Sequence, residues 1–583
     1  MIRVPRVASD AFAQHLLAGS PRRRAGHIAL AVGVCMLAAM LGIAFERDLV
    51  GTLTQHGWGR TLQGVGAALT RVRCGVGGAV IDNRLDNFLR IGGFNGNPRF
   101  ADTFDDTYGE NLLNKKRLQR TLDQAKSIIC APSTSLRDAS GHYVNLIGFN
   151  GEDAGMSTYT VLAFLIFGIN IRGLTFTYFI LVVCTLVLFA VRHGRNPAAM
   201  VAAALMTIAL YFSVCSSMFN FTMPAEFGFL PGIDIKDPRF LGTIAAIPLL
   251  HIIVTWLQPD HQMTIAGYVV LALQTAIIAF ATHLRFAVVW TISIPLLLWT
   301  LSTTATIWRG RGSKLRLGDW RSPRSFLVLV TTCAVVGAAN LAASYSYHPF
   351  YALERDVPCH TFWDGVLQSL EYNPDWQTKY SASMNGAASD QIPLTAARLA
   401  IAKLPADQQR QYLQLDGNPT RVAYETFSKA AFLEILSRDP GFVLKTFLVI
   451  KPLLILRSEA TMYRSLFAGL GGWHALVASL ALVILGWLTA RHVHSVRLLC
   501  ELAGAACFCA LAAWLPNWLV LANELVMFDN FVWGLFLICL APFILAVHLQ
   551  RLTERASQRS GGRFFPVREG ELTIRAPTAG GER

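Results

Sequence analysis

The chain has 583 residues, of which 53% are hydrophobic and only 15% are charged, and its mean hydropathy is +0.41. Soluble proteins carry about 25% charged residues, and several runs here have the ~20 apolar residues needed to cross a bilayer. This composition excludes an ordinary soluble protein and predicts an all-α polytopic membrane protein. The net charge of +14 does not indicate a nucleic-acid partner, because its distribution along the chain follows membrane topology.

The basic N-terminal segment, residues 1–27, precedes an apolar run at residues 28–45. The pair resembles a signal peptide, but the run is long, and Glu46, Arg47 and Asp48 form a poor cleavage context. We therefore predict an uncleaved first transmembrane helix. Nine further spans are predicted at residues 173–191, 197–215, 241–257, 264–282, 286–308, 325–345, 465–489, 498–517 and 527–549.

The charge distribution predicts the topology. With the N-terminus inside, the inner segments carry a net charge of +15 in a chain of +14, so the remainder sums to about −1 and the positive-inside rule is obeyed. Both termini are therefore predicted to be cytoplasmic. The predicted segments are the N-terminus (1–27), the first helix (28–45), a first outer loop (46–172), helices 2–7 (173–345), a second outer loop (346–464), helices 8–10 (465–549) and a cytoplasmic tail (550–583).

Two apolar stretches, Met156–Ile171 and Gly441–Leu456, are predicted to lie on the outer surface as interfacial helices. The first is short. The second contains Lys445 and Lys451, and a lysine at mid-bilayer costs about 2.5–3.5 kcal/mol, so a surface helix whose lysines extend to water is favoured. The alternative is two additional spans, which gives a range of 10 to 12 transmembrane helices.

The end of the first outer loop resembles the GT-C superfamily of membrane glycosyltransferases, in particular its aminoarabinose-transferase and protein-mannosyltransferase-like members. An acidic turn, an interfacial helix, an arginine and a span follow one another. The matching residues are Tyr159, Leu162, Phe164, Phe167, Gly168 and Arg172. The resemblance covers the first 200 residues best. The family's acidic pattern just after the first span is missing, and its best local match lies some sixty residues later, in FADTFDDTYGENLL.

The resemblance implies an enzyme of the bacterial inner membrane that takes a sugar from a polyprenyl-phosphate carrier. The acceptor would be a lipid, glycan or protein at the outer face, and a first-loop carboxylate would act as the base. Membrane lipid would surround the carrier, and nearby basic groups would hold its phosphate. The sequence identifies no definite cofactor, and the acidic residues around Asp105 and Asp106 could supply either the base or the ligands of a divalent metal.

Two acidic pairs are the candidates for the base: Asp105 with Asp106, and Glu152 with Asp153. Either pair could instead cap a helix, because a carboxylate before a helix accepts its free backbone N–H groups. Candidate substrate-binding residues lie in the second outer loop. These are Arg355, His360, Trp363, Asp364, Lys445 and Lys451.

Other polar positions have simpler interpretations. His360 and Asp364 are four residues apart and would share a helix face, which is equally expected of a structural corner. Asp237 and its neighbours Asp234, Lys236 and Arg239 are expected to form a solvated turn. His251 lies within a span, where a neutral imidazole hydrogen-bonded to a neighbouring helix is expected.

Three functions are compatible with the sequence. The first is the glycosyltransferase described above. The second is a polytopic transporter or lipid flippase of the cell envelope, which would show short loops and charged or broken helices at mid-membrane. The third is a non-catalytic scaffold related to the transferases. Few charges lie within the spans, and the polar residues concentrate in two large outer loops, which favours surface chemistry over translocation.

Overall fold

The computed structural model describes residues 21–49, 155–168, 172–218, 235–257, 264–285, 362–388, 391–413, 419–469, 473–489, 496–520 and 528–561, with a few isolated positions between them. The elements of this part of the chain are helical, as the composition predicts. Among the described residues, six helices are long and apolar enough to cross a membrane. They are Arg172–His193, Pro197–Cys215, Arg239–Leu257, Ile265–Leu284, Leu498–Leu519 and Phe531–Gln550.

These six helices support a multi-pass membrane protein, and each corresponds to a span predicted from the sequence. The count of ten remains a prediction, because the predicted spans at 286–308 and 325–345 lie largely outside the described residues. The predicted first span lies within a helix that runs from Pro21 to Leu49.

An alanine-rich helix forms the centre of the bundle. The first four helices are α1 (Pro21–Leu49), α2 (Gly155–Phe167), α3 (Arg172–His193) and α4 (Pro197–Met218). The span in α4 is 94% buried, whereas the span in α3 is 50% buried. Small side chains let neighbouring helices approach closely, and α1 packs along the full face of α4. The chain therefore builds its bundle around α4.

The predicted interfacial helix α2 has only 13 residues and ends at Gly168, which has φ +74°. It packs against α3 and α7 (Ile265–Leu284). The hydroxyl of Tyr159 donates a hydrogen bond to the Leu174 carbonyl. A Cβ at Gly155 would lie 2.5 Å from the carbonyl oxygen of His283. The first residue of α2 is therefore in direct contact with the C-terminal end of α7.

The prediction that the residues before 240 form a solvated turn is wrong. Asp237 precedes α5 (Pro238–Leu241), which continues through a 3₁₀ turn (Gly242–Ala245) into α6 (Ala246–Leu257). Its carboxylate accepts two bonds of 2.8 Å from the Arg239 guanidinium and one from the Arg239 backbone N–H. Lys236, Asp237 and Arg239 are all buried, because this paired cap packs among the helices rather than in water. Asp234 lies outside the described residues.

A helical subdomain, residues 362–445, forms a second core. Its helices are α8 (Phe362–Gln368), a 3₁₀ turn (Ser369–Tyr372), α9 (Trp376–Lys379), a 3₁₀ turn (Ala382–Met384), α10 (Gln391–Ala402), α11 (Ala406–Tyr412), α12 (Arg421–Arg438) and α13 (Pro440–Lys445). Trp376 lies at its centre and is fully buried, surrounded by residues such as Leu367, Ile392 and Phe442. This core is separate from that of the bundle.

One unbroken helical run joins the subdomain to the bundle. After α13 come a π-helical turn (Thr446–Ile450) and α14 (Lys451–Gly469). Proline removes an N–H and collides with the carbonyl four residues earlier, so the π turn directly before Pro452 lets the helix continue. The predicted interfacial helix is thus the first half of a longer helix. Its second half carries Met462 and Leu466 into the core of the bundle.

The last three helices complete the bundle. They are α15 (Trp473–Thr489), α16 (Val496–Leu519) and α17 (Phe528–Gly561). The predicted span at 465–489 covers the end of α14, which runs to Gly469, and the whole of α15, while residues 470–472 lie outside the described part of the chain.

The subdomain docks on α16 through a glycine. A Cβ at Gly365 would lie 2.2 Å from the carbonyl oxygen of Val520.

We expect Gly365→Ala to lower the free energy of unfolding by about 1–3 kcal/mol, because the backbone of one element must shift. Limited proteolysis and thermal unfolding in detergent measure the loss. Gly441→Ala is the control, since its Cβ would lie 3.8 Å from the nearest atom, and equal behaviour of the two variants would contradict this docking contact.

Candidate functional site

Most of the candidate site residues lie outside the part of the chain that the structure describes. These are Asp105, Asp106, Glu152, Asp153, Arg355 and His360. The roles predicted for them therefore stay predictions. Four candidates are described, namely Trp363, Asp364, Lys445 and Lys451, and they fall into two groups with different surroundings.

Trp363 and Asp364 lie at the start of α8, and Trp363 contacts α12. The backbone N–H of Trp363 donates to the Glu425 carboxylate at 3.0 Å. Its ring lies 5.6 Å from the Phe432 ring and 5.6 Å from the ammonium of Lys429. Asp364 is 1% exposed and accepts a bond from the Gly365 N–H. These contacts are compatible with a structural corner, and the substrate-binding role of both residues stays a prediction.

The two lysines of the apolar helix differ sharply. Lys445 is 55% exposed and lies 3.2 Å from Asp375, so it extends to the surface as expected. Lys451 is fully buried, so the expectation that it also extends to water is wrong. Residues six apart on a regular helix point to different sides, so Lys445 can reach the surface while Lys451 faces the subdomain.

Lys451 joins the helix to the subdomain through a neutral partner. Its ammonium donates to the hydroxyl of Ser369 at 2.7 Å and lies 5.1 Å from the Phe447 ring. Ser369 is also fully buried and donates to the Gly365 carbonyl. Burial lowers the pKa of Lys451 to about 7, because the charged form loses its hydration and gains no carboxylate partner among the described residues.

The next ionisable group on this face is Glu459, which the sequence analysis did not select. It lies eight residues after Lys451, about 12 Å along the helix. Burial raises the pKa of Glu459 to about 7, and a hydrogen bond from the indole N–H of Trp514 opposes this shift. A lysine and a carboxylic acid, both with pKa values near neutrality, therefore share one helix. Perturbed pairs of this kind concentrate at functional sites.

Opposite Glu459 lies the C-terminal end of α16. We call the contact between the two helices the α14–α16 seam. It consists of Ile455 and Glu459 on α14 and Trp514 and Trp518 on α16, which are in contact, together with the neighbouring residues Ser458 and Asn517 on the same two helices.

Ile455 packs against both seam tryptophans. The Trp518 indole N–H donates to the Phe447 carbonyl, which belongs to the π turn. The seam is thus closed at one end by the subdomain.

The sequence held a signal for this site. Positions 451, 455 and 459 repeat every four residues, which places them on one helix face, and two tryptophans at 514 and 518 repeat in the same way. This pattern was not recognised, because both lysines of the apolar stretch were predicted to lie at the surface. The repeat was therefore not extended from Lys451 to Glu459.

A second cluster of polar side chains, formed by His193, His251 and Thr255, lies inside the bundle. The rings of His193 and His251 are 4.8 Å apart, and Thr255 lies 3.4 Å from Nε2 of His193. His251 was expected to hydrogen-bond to a neighbouring helix. Among the described residues its Nδ1 has no hydrogen-bond partner, and its ring packs on Phe189 instead.

Within the described ranges, no group of three or more His, Cys, Asp and Glu side chains is arranged to hold a metal ion. No protein-family model, curated protein or solved structure matches the chain. The function is therefore inferred from the contacts, burial and chemistry of the residues themselves.

The buried lysine predicts a specific dependence of stability on pH. Between about pH 7 and the ordinary lysine value of 10.5, the unfolded chain holds a proton that the folded chain lacks, so the free energy of unfolding rises with pH across this window. Lys451→Met is expected to remove this contribution. It should also stabilise the protein by about 1–4 kcal/mol at pH 7, because a buried polar group is replaced by an apolar one.

Chemical unfolding in detergent between pH 6.5 and 10 measures both effects. Lys445→Met is the matched control, since Lys445 is exposed and lies on the same helix. A Lys451→Met variant that is less stable than the parent at every pH would contradict the assignment of a buried amine whose only hydrogen-bond partner is neutral.

Proposed function

We propose that the protein is a membrane glycosyltransferase that moves a sugar from a polyprenyl-phosphate carrier to a lipid, glycan or protein acceptor at the outer face of the membrane. One structural observation supports the proposal. The buried Lys451 and the half-buried Glu459 lie where the helical subdomain meets the membrane helices. A lipid-linked substrate needs such a place, because its chain lies in the bilayer while its head group meets a polar subdomain.

The chemistry of the transfer fits these groups. A sugar leaving a phosphate needs an activated acceptor hydroxyl and a positive group that receives the developing phosphate charge. Lys451 is a basic group on the described face of α14, and it has no carboxylate partner among the described residues. An arriving phosphate would supply the missing negative charge and favour the protonated amine.

The proposed base comes from the first outer loop. Asp153 precedes Gly155 by two residues in the sequence, and Gly155 contacts the end of α7. The Glu152–Asp153 pair is thus attached to a helix whose start is fixed on the bundle. Asp105 and Asp106 are the second candidate pair. The resemblance of Tyr159, Phe164, Gly168 and Arg172 to the GT-C motif supports a base in this loop.

The alternative function, a transporter or lipid flippase, has one observation in its favour. The buried His193 and His251 lie on helices of the membrane bundle, and ionisable residues in such positions often belong to transport pathways. The helical subdomain with its own core favours the transferase, since transporters commonly have short loops.

Release of free polyprenyl phosphate tests the proposal. The protein in nanodiscs is given a mixed pool of polyprenyl-phosphate sugars, with native membranes as the source of acceptor. Wild type should release the carrier, and one of the pairs Asp105→Asn/Asp106→Asn or Glu152→Gln/Asp153→Asn should lower the rate by about 100-fold or more. Lys451→Met should lower it by about tenfold or more.

Glu434→Gln is the control for removal of a carboxylate, because Glu434 is 56% exposed and pairs with Arg438 on the surface of the subdomain. If a folded protein releases no carrier from any donor, the transferase proposal is wrong. Uptake or scrambling of lipid by the same nanodisc or liposome preparation would then identify the transporter, and its absence the scaffold.

A further inference from the structure

The α14–α16 seam contains polar atoms that the protein itself leaves unpaired. Ser458 is fully buried and Asn517 is 1% exposed. Neither the Ser458 Oγ nor the Asn517 Oδ1 has a hydrogen-bond partner within the described part of the chain. Each unpaired buried polar atom costs about 1–3 kcal/mol, so two in one contact are unusual in a native structure.

Helix periodicity places both unpaired atoms beside this contact. On α14, Ser458 and Glu459 follow Ile455 by three and four residues. On α16, Asn517 and Trp518 follow Trp514 by the same spacing. Residues separated by three or four positions share a helix face, and Ile455 packs against both tryptophans. Ser458 and Asn517 are therefore on the faces that the two helices turn towards each other.

The remaining groups of the seam are hydrogen-bonding and aromatic. Glu459 accepts from the Trp514 indole at 2.5 Å. Burial holds the pKa of its carboxyl near 7, so near neutrality a large part of it carries an O–H and can donate as well as accept.

The next residue on this side of α14 is Tyr463, whose ring lies 4.9 Å from the Phe531 ring. A Cβ at Gly534 would lie 2.0 Å from the Tyr463 hydroxyl, so α17 keeps this position free of a side chain.

We propose that the α14–α16 seam binds the uncharged, hydroxyl-rich part of a lipid-linked substrate, that is, its sugar ring. Ser458, Glu459 and Asn517 would hydrogen-bond to the hydroxyls, and the tryptophans would cover the apolar faces of the ring. This inference rests on the proposed transferase function and assigns the sugar to a place in the fold.

The composition of the seam selects against other ligands. None of its six residues is basic, so an anionic phosphate has no counter-charge there and is better placed towards Lys451, about 12 Å away along the helix. A hydrocarbon chain would leave the Ser458 and Asn517 atoms unpaired. A hydroxyl both donates and accepts, so a sugar satisfies the amide oxygen, the serine hydroxyl and the carboxyl together.

Paired probes separate the sugar from its carrier. One probe is a farnesyl phosphonate that carries a hexose and cannot be transferred, and the other is the same phosphonate without the sugar. Their binding to the full-length protein in nanodiscs is measured by isothermal titration for wild type, Glu459→Gln and Asn517→Leu. We expect both variants to bind the sugar-bearing probe about tenfold or more weakly, and to bind the sugar-free probe as wild type does.

Asn517→Leu carries a second readout. The leucine has a similar size and removes an unpaired buried polar atom, so thermal stability should be unchanged or higher, whereas a purely structural asparagine would lower it on removal. Glu434→Gln should change neither binding nor stability.

Three other outcomes would overturn the inference. If both probes bind and the variants affect neither, or both equally, the sugar lies elsewhere and the transferase proposal stands. If Asn517→Leu is less stable and affects neither probe, the seam is structural. If neither probe binds wild type, the inference and the prenyl-phosphate donor of the proposed function fail together.

Discussion

A continuous helical run joins two hydrophobic cores, and its position is fixed at both ends. Phe442 and Val443 at its start belong to the core of the subdomain, and Met462 and Leu466 near its end belong to the core of the bundle. Thirty residues of helix span about 45 Å, so the segment between the cores has little freedom to rotate or slide. The orientation of every side chain in that segment follows from this constraint.

The same constraint explains why polar groups are buried at the junction. A lysine on a free surface helix would turn towards water, as Lys445 does. Lys451 has no such option, because the helix is held at both ends and the 3₁₀ turn with Ser369 covers it. The protein tolerates a buried amine, a carboxylic acid of raised pKa and an unpaired serine hydroxyl within a few turns of α14, and an unpaired amide oxygen on the neighbouring α16. Such a set opposes stability, and groups of this kind are typical of sites that bind or react.

The sequence predicted the helices far better than their environment. The span expected at 173–191 corresponds to a helix from Arg172 to His193, because a long apolar run ending in basic residues has few alternatives. Lys451 was misplaced because its insertion cost was judged for a helix alone in lipid. Lys451 is instead buried against Ser369, 82 residues away in the sequence. No local sequence pattern predicts such a contact. Asp237 was misplaced for a related reason, since a D-P-R sequence looks like an exposed turn until its neighbours are known.

The positions of the amine and the carboxylic acid along α14 also suggest how charge enters the site. The subdomain end holds an amine with only neutral partners, and the seam holds a carboxylic acid that is neutral for much of the time near pH 7. In the proposed reaction the donor brings a phosphate anion, which favours protonation of a nearby amine. Donor binding would then be coupled to uptake of a proton by the neutral fraction of Lys451, so the positive charge would increase when a phosphate is present to use it. An empty site would carry only part of a full positive charge, which the cost of buried charge in a membrane favours.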